Sequence, residues 1–176
     1  MKSRHLACLT LLCFVACAPE EGVEPPSSAG GGAQAEMSDA GGRTMASASA
    51  VDAGGVRVRV AAAGLAPGTY AVHVHAVGRC DPPDFASAGP HWNPTTRQHG
   101  QLNPLGHHLG DLPNLTVGTD GAGTVEFSIP EASLHGGEHP LLDGDGAALV
   151  VHANPDDYRT DPSGNSGARI ACGVLN

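Results

Sequence analysis

Short segments of alternating apolar and polar residues run through the chain from residue 45 onward. The alternation is clearest in residues 56–60, where the two-residue period of a strand puts three valines on one face and two arginines on the other. Turn residues such as Asp120-Gly121 separate these segments. The pattern predicts further strands at residues 45–51, 70–75, 115–118, 125–129, 148–152 and 170–174.

Three stretches give a weak strand pattern or none. Residues 37–53 are rich in Ala and Ser, which predicts an abbreviated first β-hairpin. Residues 77–113 and 153–168 are rich in Gly, Pro, Asn and Asp, and they have no strand pattern. Loops of that length inside a compact domain are usually functional.

Composition supports an all-β protein. The 176 residues include 25 Gly and 14 Pro, with 3% aromatic and 15% charged residues, which excludes a long-helix or coiled-coil protein. Only 9 basic residues stand against 18 acidic ones. Such a chain has no basic stripe to neutralise phosphates, so nucleic acid is not expected as a partner.

The N-terminus predicts export. Lys2 and Arg4 precede an apolar run at residues 6–16, which is too short to span a bilayer core of about 30 Å and is typical of a signal peptide. The run ends in Phe-Val-Ala-Cys, which resembles a bacterial lipobox, so residues 1–16 are expected to be cleaved and Cys17 to carry lipid. An ordinary secretory signal and an uncleaved anchor stay open. All three alternatives place the domain outside the cytoplasm, and the lipoprotein alternative anchors it to a bacterial membrane on a periplasmic or cell-surface face.

A flexible tether follows at residues 17–34, because Pro, Glu, Ser, Gly and Ala there cannot bury enough surface to offset the cost of ordering. The remaining residues, 35–176, form one domain. Loss of residues 1–16 removes two cations and lowers the formal net charge from −9 to −11. Of the five cysteines, the signal peptide removes two and lipid takes a third. Cys80 and Cys172 remain, and two thiols in an oxidising compartment are expected to pair.

The ten histidines suggest a metal site. His73 and His75 project from the same face of a predicted strand about 7 Å apart at their backbones, which allows chelation of a transition metal. His152 ends another apolar strand. The first long loop adds three imidazoles and one carboxylate, a four-coordinate zinc set: His91, His99, His108 and Asp111.

The chain resembles the copper/zinc superoxide dismutases over residues 56–176. The matching segments occur in the family's order and with nearly its spacing: His73-Val74-His75, Ser87-Ala88-Gly89-Pro90-His91-Trp92-Asn93-Pro94, Arg97-Gln98-His99-Gly100, His108-Leu109-Gly110-Asp111-Leu112, Leu149-Val150-Val151-His152 and residues 164–174 (Gly-Asn-Ser-Gly-Ala-Arg-Ile-Ala-Cys-Gly-Val).

The resemblance implies one copper and one zinc per subunit. It assigns copper to His73, His75, His91 and His152, and zinc to His91, His99, His108 and Asp111, with His91 bridging both metals. It also implies that Asp156 links a copper ligand to a zinc ligand, although Asp157 beside it stays open as the equivalent residue. Arg169 matches the arginine that attracts the anion over the copper, and Cys80 with Cys172 matches the family's disulfide.

The implied fold is a Greek-key β-barrel or sandwich of about eight short antiparallel strands with two long functional loops. The implied activity converts two superoxide anions and two protons to dioxygen and hydrogen peroxide by copper redox cycling, with His91 taking up a proton on reduction. In the cell envelope, that activity would protect against superoxide. Two alternatives stay open, a non-enzymatic metal binder on the same scaffold and an adhesive sandwich. The oligomeric state is also open, with a homodimer among the alternatives.

Four other features are not expected to bind metal. His107 has the wrong spacing to Asp111, and His135 and His139 lie in Gly-rich sequence without partners at matching spacing. Residues 143–146 lack the later Gly and the Glu of a calcium loop, so they are predicted to form a turn.

Overall fold

The computed structural model describes residues 31–176, which form nine strands and a single turn of 3₁₀ helix at Ala86–Ala88, without any α-helix in that range. The all-β prediction is confirmed, with one strand more than expected. The strands are β1 (Ala33–Ser38), β2 (Thr44–Asp52), β3 (Val56–Ala62), β4 (Gly68–Tyr70), β5 (Val72–His75), β6 (Leu115–Val117), β7 (Gly123–Ile129), β8 (Ala148–His152) and β9 (Arg169–Val174).

The predicted signal peptide, the lipidated Cys17 and most of the tether lie outside the described residues. The first strand begins at Ala33, two residues before the expected start of the domain. No helix within residues 31–176 has the length and apolar character needed to cross a membrane.

All strand pairs in the described range are antiparallel. Seven strands form one sheet in the order β5-β8-β9-β1-β2-β3-β7, and β4 pairs with β6 in a second sheet. The chain passes from β7 at one edge to β8 near the other edge, which is the long connection of a Greek key. β7 also lies against β6, where Gly123 approaches the carbonyl of Thr116 so closely that a side chain would collide with it. The large sheet therefore curls towards the small one.

The alternation in β3 has the predicted effect. Val56, Val58 and Val60 are fully buried, while Arg57 and Arg59 are exposed on the outer face. The prediction of an abbreviated first hairpin is wrong, because β1 has six residues and β2 has nine, in continuous register from Ala33 opposite Ala50 to Met37 opposite Ala46. The inward positions are mostly alanines, and these small side chains still alternate with exposed ones.

The segment predicted as one strand over residues 70–75 is two strands. Tyr70 pairs with Leu115 in the small sheet, whereas Val72 pairs with Val151 in the large one. Between them, the backbone of Ala71 bonds the second long loop, donating its N–H to the carbonyl of Asn154 at 2.9 Å. The chain changes sheets at this residue, and β5 begins under the loops.

The first long loop folds onto β5. The N–H of Val74 donates to Gly110 at 2.9 Å, and the carbonyl of Val74 accepts from Trp92 at 2.8 Å. These bonds place His91 opposite His75 and Asp111 opposite His73 in isolated bridges. The loop thus pairs with the free edge of β5, and residues far apart in sequence meet there.

Candidate metal centre

β5 directs its histidines away from the main core. Val72 and Val74 belong to that core, so the two-residue period of the strand sends His73 and His75 to the opposite face. Both histidines are nevertheless fully buried. They are buried because the first long loop closes over this face of the sheet.

Four histidines converge there. Their donor nitrogens lie within 4.8 Å of one another, and all four residues are buried: His73, His75, His91 and His152. His152 comes from the end of β8. The structure therefore brings together all the residues that the resemblance assigns to copper.

The hydrogen bonds of three of these rings define where their lone pairs point. One nitrogen of each ring bonds an oxygen that can only accept, so that nitrogen carries the proton. The partners are Asp156 Oδ2 for His73 Nε2 at 2.9 Å, the Gly89 carbonyl for His75 Nδ1 at 2.8 Å, and the Gly167 carbonyl for His152 Nδ1 at 3.2 Å. The other nitrogen of each ring is buried without a hydrogen-bond partner in the described part of the chain: His73 Nδ1, His75 Nε2 and His152 Nε2. Buried polar atoms are rarely left unpaired, and three such lone pairs in one cluster fit a soft or borderline metal ion such as copper.

A second cluster surrounds the carboxylate of Asp111. Its Oδ1 atom lies 3.0 Å from His91 Nδ1, 3.0 Å from His99 Nδ1 and 3.1 Å from His108 Nδ1. Ligands about 2.0–2.1 Å from a tetrahedral zinc ion lie about 3.3 Å from one another. The three nitrogens and one oxygen therefore fit zinc, as predicted for this set.

The two clusters share His91. Its Nδ1 belongs to the Asp111 cluster, which leaves Nε2 for the four-histidine cluster. The ring of His91 also lies 4.0 Å from that of His73, centroid to centroid. His73 also offers a ligand atom within 4.8 Å of ligand atoms of His91, His99 and Asp111, so the two clusters adjoin closely.

Asp156 joins the clusters from behind. Its Oδ2 accepts from His73 and its Oδ1 accepts from His99 Nε2 at 3.0 Å, so one buried carboxylate orients a ring of each cluster. Asp157 is exposed and bonds instead to Thr160 and Asn165. Of the two aspartates, Asp156 is therefore the one that contacts a ring of each cluster.

Two histidines of the four-histidine cluster have protonation states that suit metal binding. Burial lowers the pKa of His91 to about 4 and that of His152 to about 3, so both rings are neutral at pH 7. Burial also acts on His99, but its hydrogen bonds to Asp111 and Asp156 outweigh it and raise the pKa of His99 to about 9. Burial raises the pKa values of the two carboxyl groups, and the surrounding histidines more than reverse that effect. The pair of aspartates thus supplies negative charge to the zinc-type cluster.

Arg169 stands at the open side. A cleft of about 870 Å³ is lined by His91, His152 and Arg169 together with residues of both long loops. The guanidinium donates to the carbonyl of Phe85 at 2.7 Å and to that of Gly89 at 2.8 Å. Since Gly89 also accepts from His75, one carbonyl orients both a histidine of the cluster and the arginine of the cleft.

The predicted disulfide is present. Cys80 in the first long loop is bonded to Cys172 in β9, with 5.7 Å between their Cα atoms. The bond ties the segment that contains Phe85 and Gly89 to the strand that begins with Arg169. The disulfide therefore links the strand that carries Arg169 covalently to the segment that carries its two carbonyl partners.

The three remaining histidines of the described residues do not take part in either cluster. His107 bonds the carbonyl of its neighbour His108, and His135 and His139 belong to neither histidine cluster of the described residues. Residues 143–146 form the predicted turn, closed by a bond from Gly146 to Asp143. The carbonyls of Gly89 and Gly167 were missed as site residues, since sequence alone cannot show which carbonyl a ring faces.

The comparisons with known proteins agree with this geometry. The copper/zinc superoxide dismutase (SODC) family profile matches residues 40–175. The copper/zinc superoxide dismutase of Caulobacter vibrioides is 50% identical over 124 residues, which cover 69% of this chain and 71% of that protein. The superoxide dismutase-like protein YojM of Bacillus subtilis is 49% identical over 123 residues. That alignment covers 69% of this chain and 63% of the length of the Bacillus protein.

Solved structures show the same fold. The crystal structure of a superoxide dismutase-like protein from Bacillus subtilis matches with a TM-score of 0.76 and 42% identity, over 81% of this chain and 97% of that one. The copper/zinc superoxide dismutase of Brucella abortus matches with a TM-score of 0.63 and 28% identity, over 83% of this chain and all of that one. The chain thus belongs to the copper/zinc superoxide dismutase family of oxidoreductases, which implies copper and zinc as cofactors, and its histidine clusters could bind these metals.

Proposed function

We propose that this protein is a superoxide dismutase that works in the cell envelope. The observation that carries the proposal is a set of three imidazole nitrogens that are buried without a partner among the described residues, in the cluster that also contains His91. Two members of this cluster, His91 and His152, line a cleft together with Arg169. The reaction takes two superoxide anions and two protons to one dioxygen and one hydrogen peroxide. One superoxide is oxidised and the other is reduced, so the electrons balance without a further reactant.

Copper, when bound by His73, His75, His91 and His152, supplies the one-electron redox chemistry. The residues of the chain do the remaining work. Arg169 holds the anion over the cluster, because two of its five N–H donors are fixed on carbonyls and the others are free for the substrate. His91 offers Nε2 as the atom that holds a proton for the product. Its Nδ1, on the zinc side, keeps the ring in place.

The zinc cluster and Asp156 act as the support of this site. Asp156 bonds one ring from each cluster, and such outer partners fix the orientation and tautomer of ligating histidines. The zinc ligands His99 and His108 come from the first long loop, which also carries His91. The shared ring is therefore held from the zinc side by its own loop.

The alternative function is metal binding without catalysis. It merits a test because one relative is named only a superoxide dismutase-like protein. Arg169 favours the enzyme, because a site that only stores metal ions has no need of a cation in the cleft through which an anion would enter. All four histidines of the copper cluster are also present in this chain.

The same proposal places the mature protein on a membrane, outside the cytoplasm, through lipid on Cys17. Support comes from the sequence, in which two cations, an apolar run and Phe-Val-Ala-Cys follow one another. The anchored enzyme would remove superoxide in the envelope. Radiolabelled palmitate should enter the wild-type chain and not the Cys17→Ser variant, and equal labelling of both would contradict the lipid site.

The activity is tested with the mature chain carrying Cys17→Ser, loaded either with copper and zinc or with zinc alone. We expect superoxide dismutation only in the copper-containing sample, and a strong loss of rate in Arg169→Ala. Full binding of both metals without copper-dependent dismutation would leave the metal-binding alternative in place.

A further inference from the structure

His152 has a hydrogen-bond acceptor that the other rings with a free lone pair, His73 and His75, lack. Its Nδ1 atom lies 3.2 Å from the carbonyl oxygen of Gly167 and 3.1 Å from the hydroxyl oxygen of Ser166. Its Nε2 atom is buried without a partner in the described part of the chain. The proton of the neutral ring is therefore on Nδ1, and the Ser166 hydroxyl accepts from the same N–H that Gly167 accepts from.

The hydroxyl of Ser166 serves this ring and not the loop that carries it. Ser166 is fully buried, and within residues 31–176 the only hydrogen-bond partner of its hydroxyl is His152. Buried hydroxyls are seldom left without a partner. Because the backbone contacts of the loop do not use this hydroxyl, its single contact is with a ring of the four-histidine cluster.

Backbone contacts hold the ring and both of its acceptors in place. The carbonyl of Ser166 accepts from the N–H of Asn154 at 2.9 Å. Gly167 packs so closely on the same residue that a Cβ atom there would lie 2.6 Å from Asn154 Nδ2. The N–H of His152 donates to the carbonyl of Ala71 at 2.9 Å. The position of the hydroxyl relative to the ring is therefore set by the fold of the second long loop.

We propose that Ser166 is a positioning residue for His152, which orients this ring and lowers the reduction potential of the copper that the ring binds. The inference rests on the proposed function, because it takes His152 as a copper ligand. An acceptor at Nδ1 attracts the ring proton and makes Nε2 a more basic ligand. A more basic ligand favours Cu(II) over Cu(I), because Cu(II) carries the higher charge.

The test compares the mature chain with Cys17→Ser, loaded with copper and zinc, with three variants of it: Ser166→Ala, Ser166→Thr and Ser166→Val. Thr and Val have nearly the same shape and differ in the hydroxyl, so this pair separates loss of the acceptor from a change in packing. Ser133→Ala is the matched control, because the Ser133 hydroxyl bonds the carbonyl of Gly136 and lies outside both clusters and the cleft lining. Redox titration, followed by the visible absorption of Cu(II), measures the reduction potential.

We expect Ser166→Ala and Ser166→Val to raise the affinity for Cu(I) relative to Cu(II) by about threefold. This is less than the about 10- to 100-fold typical of a lost outer partner, because Gly167 still accepts from the ring. The factor corresponds to a rise of about 30 mV in potential, at about 59 mV per tenfold for a one-electron couple. Ser166→Thr and Ser133→Ala should keep the potential of the parent chain. Equal potentials in the Thr and Val variants, or an unchanged potential in Ser166→Ala, would overturn the inference.

The potential and the rate of dismutation distinguish this inference from the proposed function. A parent chain that binds copper without dismuting superoxide would contradict the proposed function, and the difference between Ser166→Thr and Ser166→Val would still decide the role of Ser166. A chain that dismutes superoxide and has one potential in all Ser166 variants would retain the proposed function and overturn the inference.

Discussion

Asp156 accepts a hydrogen bond from His73 Nε2 at 2.9 Å. With its other oxygen it accepts from His99, so this one carboxylate couples the copper cluster to the zinc cluster. The coupling needs the second long loop, which carries Asp156, to close over the first, which carries His99. Substitution of Asp156 should therefore weaken the binding of both metals, whereas substitution of a histidine that belongs to only one cluster should weaken the binding of one metal.

Asp156→Ala should weaken both metal sites. It leaves the Nε2 atoms of His73 and His99 without their acceptors, and loss of such an outer partner typically costs about 10- to 100-fold in metal affinity. Competition with a chromophoric chelator measures the zinc and copper affinities. Asp157→Ala is the matched control, because that residue is exposed and bonds only within its own loop. Equal losses in the two variants would show that the bridge has no special role.

Gly164→Ala should break the same bridge without removing a polar group. Gly164 has a φ of +63°, and a Cβ atom there would collide with the Asp156 carboxylate and lie 2.7 Å from His99 Nε2. The carboxylate must then move, so zinc affinity should fall by an amount similar to that in Asp156→Ala. If zinc titration shows wild-type affinity, the loop can relax around the new methyl group and the tight packing of the bridge is not essential.

Histidines that belong to only one cluster should act on only one metal. His152→Ala removes a copper ligand and leaves the Asp111 cluster complete, so it should retain zinc and lose most of its copper affinity. His108→Ala should show the reverse order of losses. Metal content after dialysis, measured by mass spectrometry of the metals, distinguishes the two variants. Loss of both metals from either variant would mean that the clusters do not bind independently.

The metal-free protein should lose stability on both sides of neutral pH. The folded pKa values of His91, about 4, and His152, about 3, lie below the ordinary 6.5, so below pH 6.5 the unfolded chain binds more protons than the folded one. The contribution of these two histidines to the free energy of unfolding is therefore fully present above pH 6.5 and is lost as the pH falls towards 4. The loss amounts to several kcal/mol, at about 1.4 kcal/mol per pKa unit. His99, with a raised pKa of about 9, adds stability that is present below pH 6.5 and is lost as the pH rises through 9.

Urea unfolding of the metal-free protein at about pH 4.5, 6.5 and 9.5 measures both losses. Zinc should abolish the alkaline loss, because a His99 that ligates zinc is already deprotonated at its zinc-facing nitrogen below and above pH 9. An alkaline loss of the same size in the zinc-loaded protein would indicate that His99 does not ligate zinc.

The sequence predicts those strands in which large apolar side chains alternate with polar ones. The three valines of β3 identify that strand, but β1 alternates Ala33, Ala35 and Met37 with polar residues and gives little hydrophobic contrast. Its place in the sheet comes from pairing with β2 and β9. The sequence does not reveal the break at Ala71 either. The strands β4 and β5 are distinguished by their pairing partners, Leu115 for Tyr70 and Val151 for Val72, which are distant in sequence.

The candidate site was predictable as a set of residues and not as a geometry. Family order supplies the six histidines and Asp111, but the period of one strand accounts only for His73 and His75. The choice of Asp156 over Asp157 and the acceptors at Gly89 and Gly167 depend on how two loops close over β5. Those contacts are long-range, and they decide which nitrogen of each ring faces the metal.

A pulse of superoxide added to the copper- and zinc-loaded protein, with the visible absorption of Cu(II) recorded during its decay, decides whether this chain is a dismutase. We expect first-order decay of superoxide in proportion to protein concentration, at the same rate whether the copper begins oxidised or reduced. The absorption should settle at one intermediate level from either start. Superoxide that decays at its spontaneous rate, with the copper absorption unchanged, would contradict a catalytic role.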